Sequence, residues 1–461
     1  MKKICLVLVV AVVLGACKNE PKKDTAELEE YTAYKPVSDE VLEEGVIYEA
    51  NIRQYSEEGS FNAFTKDIPR LKELGVKVIW LMPIYPISST KSKGSLGSYY
   101  AITDYTKVNP EFGTLDDFRK LVQTAHDQGM YVILDWVANH TGWDHVWIQE
   151  HPEYYTQDED GNIVDPLNPD TGESWGWTDV ADLNFDNREM REEMIADMLY
   201  WVKEENIDGF RCDVAHQVPV DFWETASDSI RAVKPVFMLA EAEQPELLKK
   251  AFDMQYAWEG HHIMNEIAQG NKTVEDWDHY MKKNDTLLES DDMFMNFTSN
   301  HDENSWNGTV FERMGDAAET FAAMTYCIPG MPLVYSGQEY DMDKRLLFFE
   351  KDTIIKEKGD FYPIYQKLGT LKNTYPALAG GKEAAAYNRV KTSDDKSILA
   401  FERIKNGKRL LFLANLTNDS KLATVDYEGS FKSYMTNTDV VLKSGVEYEL
   451  QPWEYLILIE E

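Results

Sequence analysis

Basic residues are scarce in this chain. Against 81 Asp and Glu stand only 46 Lys and Arg, which leaves a net charge of -35 over 461 residues. Such a field repels phosphate backbones and anionic lipid headgroups, so nucleic acid and a charged membrane surface are excluded as partners, whereas a neutral ligand is not repelled. Cysteine is scarce too, at four residues. Cys212 and Cys327 lie in apolar contexts far apart in the chain, a pattern of buried free thiols and not of a disulfide framework or a metal site. Long hydrophobic runs are absent apart from Ile4 to Leu14, which is too short to span a bilayer. No internal repeat or low-complexity tract occurs in the body of the chain.

The one apolar run reads as a secretory signal, because Lys2 and Lys3 precede it and small residues follow. It ends at Leu14-Gly15-Ala16-Cys17, which resembles the bacterial lipoprotein cleavage box. That resemblance implies removal of residues 1–16 and lipidation of Cys17, hence export and anchoring to the cell envelope by acyl chains alone. Residues 17–44, rich in Lys, Glu, Pro and Asp, are expected to form a tether.

From Val46 onward the chain alternates apolar runs of strand length with amphipathic segments. Strands are predicted at Val46–Ala50, Val76–Met82, Met130–Asp135, Asp208–Asp213, Val236–Glu241, Met254–Trp258, Met293–Ser299 and Met331–Ser336. Helices are predicted between them, among them Asn62–Leu74, one from Thr114 with Asp117 placed for a capping box, Asn187–Glu205 and Asp221–Val233. Eight such units imply an α/β fold, a (β/α)8 barrel covering 45–138 and 186–379. A doubly wound open sheet is the alternative, but Ala50-Asn51-Ile52-Arg53-Gln54 is no Gly-rich phosphate turn. Residues 139–185 are too long for a simple loop and form an expected inserted subdomain. Beyond Gly380 the period changes to alternation, and Asn406-Gly407 between two alternating runs signals a hairpin, so 380–461 is expected to be a C-terminal β-sandwich domain.

In such a barrel the C-terminal strand ends share one cleft. Asp135, Asn139 and His140 follow the third strand; Arg211 and Asp213 end the fourth, Glu241 ends the fifth, and His301 and Asp302 follow the seventh. Arg211 and Asp213 share a strand face, so the guanidinium is expected to keep Asp213 ionised. Glu241 follows Phe237-Met238-Leu239-Ala240, apolar surroundings expected to raise its pKa. Glu243 is its near rival. Of Trp143, Trp147, Trp175 and Trp177, one or two are expected to line the cleft.

Four segments in order, Asp135 to His140, Gly209 to Asp213, Ala240-Glu241 and Asn300-His301-Asp302, resemble the α-amylase family of retaining glycoside hydrolases. Asn109-Pro110-Glu111-Phe112-Gly113-Thr114 and Gly337-Gln338-Glu339 support the resemblance. It implies Asp213 as nucleophile, Glu241 as acid and then base, and Asp302 as transition-state stabiliser. It further implies that His140, His301 and Arg211 bind the reacting sugar, with Tyr100 stacked beneath it. His216 stands where many relatives carry a lysine, and would take over that sugar contact. Asn139 and Asp182 would be ligands of one structural Ca2+. The implied activity is endo-hydrolysis of α-1,4 bonds in starch-like glucans; a glucanotransferase, an α-glucosidase or neopullulanase-type enzyme, and a non-catalytic glycan-binding surface lipoprotein are the alternatives. Oligomeric state is left open.

Overall fold

The computed structural model describes residues 37–168 and 171–460. The signal segment, Cys17 and residues 17–36 of the expected tether lie outside the described residues; its last part is no tether but a short helix, Asp39–Glu44, whose Val41 and Leu42 are buried in the core.

Eight parallel strands close into a barrel: Ile47–Ala50, Val78–Leu81, Tyr131–Trp136, Gly209–Cys212, Phe237–Ala240, Met254–Tyr256, Phe294–Asn296 and Met331–Tyr335. Ile47 lies opposite Val78 on one side and Leu333 on the other. That double pairing of the first strand closes the ring and rules out the open sheet. Side chains such as Trp80, Ile133, Leu239, Met295 and Leu333 fill the interior, while outward-facing strand residues pack on the surrounding helices. Buried on both faces, these strands read as nearly unbroken apolar runs.

The helix Leu115–Asp127 carries the predicted capping box of Thr114 and Asp117, and it buries Phe118, Leu121, Val122 and Ala125 against the barrel. A cap is worth about 1 kcal/mol, and burial of each large apolar side chain roughly 1.5–3, so the apolar face holds this helix in place. The helix expected over Asn62–Leu74 is instead two pieces, Phe61–Thr65 and Ile68–Glu73. Pro69 explains the break: it lacks an N–H and is tolerated only in the first turn, so the second piece has to start just before it.

At the base of the inserted segment, His140–Gly142 pairs antiparallel with Val180–Asp182. This two-stranded clasp brings both ends of the segment back to the tip of the third barrel strand. Gly209 opens the fourth strand at φ 147°, and a Cβ there would stand 1.8 Å from the Phe237 carbonyl oxygen. Only glycine lets these two strands approach at that point.

The C-terminal residues form a six-stranded antiparallel sheet and a separate two-stranded one. Ile398–Lys405 and Lys408–Asn415 pair across Asn406 and Gly407, both at positive φ, as the hairpin signal requires. Buried Arg403 binds the sheet to the barrel by donating to the carbonyls of Cys327, Ala379 and Ala385, and buried Lys372, on the helix Phe361–Thr374, donates to those of Gly330 and Leu378. Cys212 and Cys327 are free and buried.

Candidate active site

A cavity of about 510 Å³ opens at the C-terminal ends of the barrel strands. Tyr100, His140, Asp213, Glu241, His301 and Asp302 all line it. Arg211 lies beneath, fully buried, at the centre of the charge arrangement. Its Nη1 stands 2.7 Å from Asp135 Oδ1 and 2.8 Å from Asp213 Oδ1, and its Nη2 pairs with Glu241 Oε2 at 2.9 Å. Nε donates to the Tyr256 hydroxyl at 3.0 Å. One planar fork therefore spans three carboxylates from adjacent strands, a task for which lysine has the wrong geometry.

The expectation that Arg211 keeps Asp213 ionised needs correction. Because the guanidinium is shared, burial outweighs it, and the pKa of Asp213 is raised. Burial likewise raises Glu241, against the pull of Arg211. The sequence suggested that the two carboxyls would be pushed apart; in the structure burial moves both upward. Buried Asp135, held by Arg211, Trp80 and Tyr100, is pushed up to about 7 by desolvation.

Backbone strain also shapes the site. Val214, directly after Asp213, adopts φ 36°, ψ 45°, a left-handed conformation that a β-branched residue resists. Its N–H thereby donates to Glu241 Oε2 at 2.8 Å. A strained turn on one strand thus fixes a carboxylate carried by the next.

His301 is held by a residue that sequence reasoning missed. Glu49, on the first strand, places Oε1 2.5 Å from His301 Nδ1, and its Oε2 has no hydrogen-bond partner among the described residues. On the other side, His301 Nε2 lies 2.7 Å from the Tyr100 hydroxyl and 3.4 Å from Asp302 Oδ2. Burial opposes charge on the imidazole, but Asp302 and Glu49 outweigh it and lift the pKa to about 9. A doubly protonated ring satisfies every contact: it donates to Glu49 and to the Tyr100 oxygen, leaving the hydroxyl free to donate to Asp135. The available signal was a lone acidic residue inside the apolar run Ile47-Tyr48-Glu49-Ala50.

Other predicted residues fall in different places. Glu243 accepts from the Glu259 N–H and does not line the cavity. Trp177 lines it with Trp175 stacked against it at 5.9 Å, while Trp147 is buried in the core and Trp143 donates to the Thr178 carbonyl. His216 sits exposed on the short turn Ala215–Gln217 and is not part of the cavity wall. Beyond the expected set, Lys93 pairs with Asp179 at 2.7 Å on the wall, and Trp306, Phe348 and Phe349 form an aromatic side.

Asn139 and Asp182 lie near the clasp at the base of the inserted segment, and burial pushes Asp182 up to about 6. They offer one carboxylate and one amide oxygen toward a cation that takes six to eight oxygens. Among the described residues no cluster of three or more His, Cys, Asp or Glu could hold a metal ion. This donor pair does not by itself make a calcium site.

A second hollow, about 520 Å³, lies at the opposite ends of the strands, between the Ile328–Gly330 turn and residues 384–387. Its lining holds carboxylates but no Lys, Arg or His, so it lacks the paired charges found at the first cavity.

Comparison with known proteins agrees with this architecture. Residues 43–373 match the family described as the α-amylase catalytic domain. An α-amylase structure from Lactobacillus plantarum is 31% identical with a TM-score of 0.82, covering 92% of this chain and 100% of that one. A maltogenic α-amylase structure from Thermotoga neapolitana is 29% identical with the same TM-score, over 90% and 98%. Among sequences, α-amylase 3 of Dictyoglomus thermophilum is 25% identical over 80% of this chain and 84% of its own length. An α-amylase of Haloarcula japonica is 24% identical over 82% of this chain, which spans 56% of that relative's length.

Proposed function

We propose, from the premise that the chain belongs to the α-amylase family, that this glycoside hydrolase is a retaining, endo-acting α-1,4-glucan hydrolase working by double displacement. The observation that carries the reading is the single Arg211 guanidinium holding Asp213 and Glu241 at 2.8 and 2.9 Å on the rim of one cavity, with Asp302 on the same wall. Retention needs two carboxyls close together, one to attack and one to manage the proton.

In this reading Asp213 attacks the anomeric carbon and forms a glycosyl ester while the glycosidic C–O bond breaks. Glu241 gives its proton to the departing oxygen, and its raised pKa keeps that proton available. Glu241 then takes a proton from water, the water oxygen attacks the ester, and Asp213 leaves as carboxylate. Positive charge that develops on the ring faces Asp302, while His140, kept neutral by burial, donates to a sugar hydroxyl and Tyr100, held by imidazolium His301, lies under the ring. Arg211 steadies Asp213 each time it returns as an anion.

The same covalent intermediate can be resolved by a sugar hydroxyl. Relatives named 4-α-glucanotransferase, from Thermotoga neapolitana, and cyclomaltodextrinase, from Thermoanaerobacter pseudethanolicus, support keeping transfer and short-substrate hydrolysis as the second reading. Product analysis on maltoheptaose, with and without an added acceptor, separates them: short maltooligosaccharides of retained anomeric configuration support hydrolysis, and products longer than the substrate support transfer. Asp213→Asn should abolish both while sparing binding; retention of more than a few per cent of the activity would sink the assignment.

The N-terminal pattern supports a lipid anchor at Cys17 on the bacterial envelope, with the acidic body projecting into water. Cys17→Ala should then move the protein into the soluble fraction; persistence with membranes would refute the anchor.

A further inference from the structure

Trp306 is a large indole left 53% exposed, yet its surroundings are rigid. It rides on the π-helical turn Glu303–Asn307, which starts directly after Asp302. Asn304 ties that turn to the following loop, donating to the Lys344 carbonyl at 3.0 Å and accepting from the Leu346 N–H at 2.8 Å. Behind the turn, buried Glu303 sits among His261, Arg313 and Asn307, and the contact with His261 together with the charge of Arg313 holds its carboxyl down at about 2 despite burial. Phe348 and Phe349 back the indole at ring separations of 5.2 and 5.8 Å. Phe348 in turn stacks with Tyr100 at 6.2 Å and an interplanar angle of 16°. Aromatic surface therefore runs without a break from Tyr100, beside the carboxylates, out to Trp306 at the cavity wall.

An exposed indole with no apolar partner on its outer face is costly to maintain, and this one is buttressed so that it cannot fold away. Flat apolar faces of that kind suit the C–H faces of a pyranose ring and are indifferent to charge. We propose that Trp306, with Phe348 and Phe349 behind it, is the stacking platform for a second glucosyl unit, next to the one that Tyr100 underlies. The inference rests on the glucan-hydrolase reading and deepens it: the site selects a chain of two or more units over a single glucoside. Trp306 touches substrate remote from the reacting atoms, so its contribution is equal in the ground state and the transition state and is read in KM.

The test compares maltoheptaose with 4-nitrophenyl α-glucoside in the parent enzyme and in Trp306→Ala, Trp306→Leu and Trp306→Phe. For Trp306→Ala, the KM for maltoheptaose should rise about tenfold with kcat changed less than about threefold, and the loss on the single glucoside should be much smaller. Phe should restore most of the loss and Leu should not, because a branched side chain has no flat face. Equal losses on both substrates, or rescue by Leu as good as by Phe, would overturn the platform. If the parent enzyme cleaves maltoheptaose and KM is unmoved in Trp306→Ala, the inference fails alone. If the parent leaves maltoheptaose intact, the glucan reading falls and takes the inference with it.

Discussion

Glu49 and His301, 252 residues apart in the chain, meet at 2.5 Å inside the barrel mouth, so a carboxylate from the first strand sets the charge on a side chain that follows the seventh. Neither residue faces solvent. The pair converts the protonation of an imidazole at the cavity wall into a property of the scaffold.

That arrangement fixes the sign of a pH effect. The folded pKa of His301, about 9, lies above the ordinary 6.5, so the stability that the pair supplies is whole below about pH 6.5 and is lost as pH rises through 9. In Glu49→Gln the imidazolium loses one of its two anionic neighbours, and the pKa should fall by about one unit or more. NMR titration of labelled histidine, with the resonance assigned by its loss in His301→Gln, reads this directly. A parent value near 6.5 would contradict the pairing.

If Glu241 supplies the proton to the leaving oxygen, the need for it depends on the leaving group. Glu241→Gln should lose at least about 10³-fold in kcat on maltoheptaose but far less on α-maltosyl fluoride, whose fluoride departs without a proton. Equal losses on both substrates would remove Glu241 from the acid role.

Val214 bears on the same carboxyl. Its left-handed backbone costs of order 1–3 kcal/mol that glycine would largely avoid. Val214→Gly should melt at the parent temperature or a few degrees above it, while kcat declines because the N–H that fixes Glu241 is no longer locked. A higher melting temperature with unchanged kcat would show that the strain does nothing for the site.

Lys372 gives a stability signature distant from the cavity. Burial lowers its pKa from 10.5 to about 7, with Arg403 nearby adding to the effect. Between those values the unfolded chain holds a proton that the folded one lacks, so stability rises with pH across that window. The difference in unfolding free energy between the parent and Lys372→Met, measured by urea denaturation from pH 7 to 10, should carry that rise. A flat difference would mean that the lysine keeps its charge in the fold.

Much of this was legible beforehand because the informative signals were local. Closure of eight units followed from strands that are apolar on both faces, and the hairpin at Asn406-Gly407 followed from two residues that tolerate positive φ. The cavity carboxylates were legible because each stands at or shortly after a predicted strand, in a segment that resembles the α-amylase family. What stayed hidden depended on distance in the chain. Glu49 is one acid in an apolar run until His301 arrives beside it, and the sharing of Arg211 among Asp135, Asp213 and Glu241 arises only from three strands lying side by side. Motif residues can also be scaffold: Glu339, in Gly337-Gln338-Glu339, accepts from the Tyr48 hydroxyl and pairs with Arg70, away from the cavity.

Arg403 carries one more implication. Its guanidinium reaches from the terminal sheet to carbonyls at the end of a barrel helix and along the connecting segment. Peeling the tail away would strand a charge and three acceptors that must all be rehydrated together. The last eighty or so residues are thus no detachable accessory: catalytic body and tail should melt in one calorimetric event, and a chain clipped near Gly380 should lose its fold instead of surviving as a smaller enzyme.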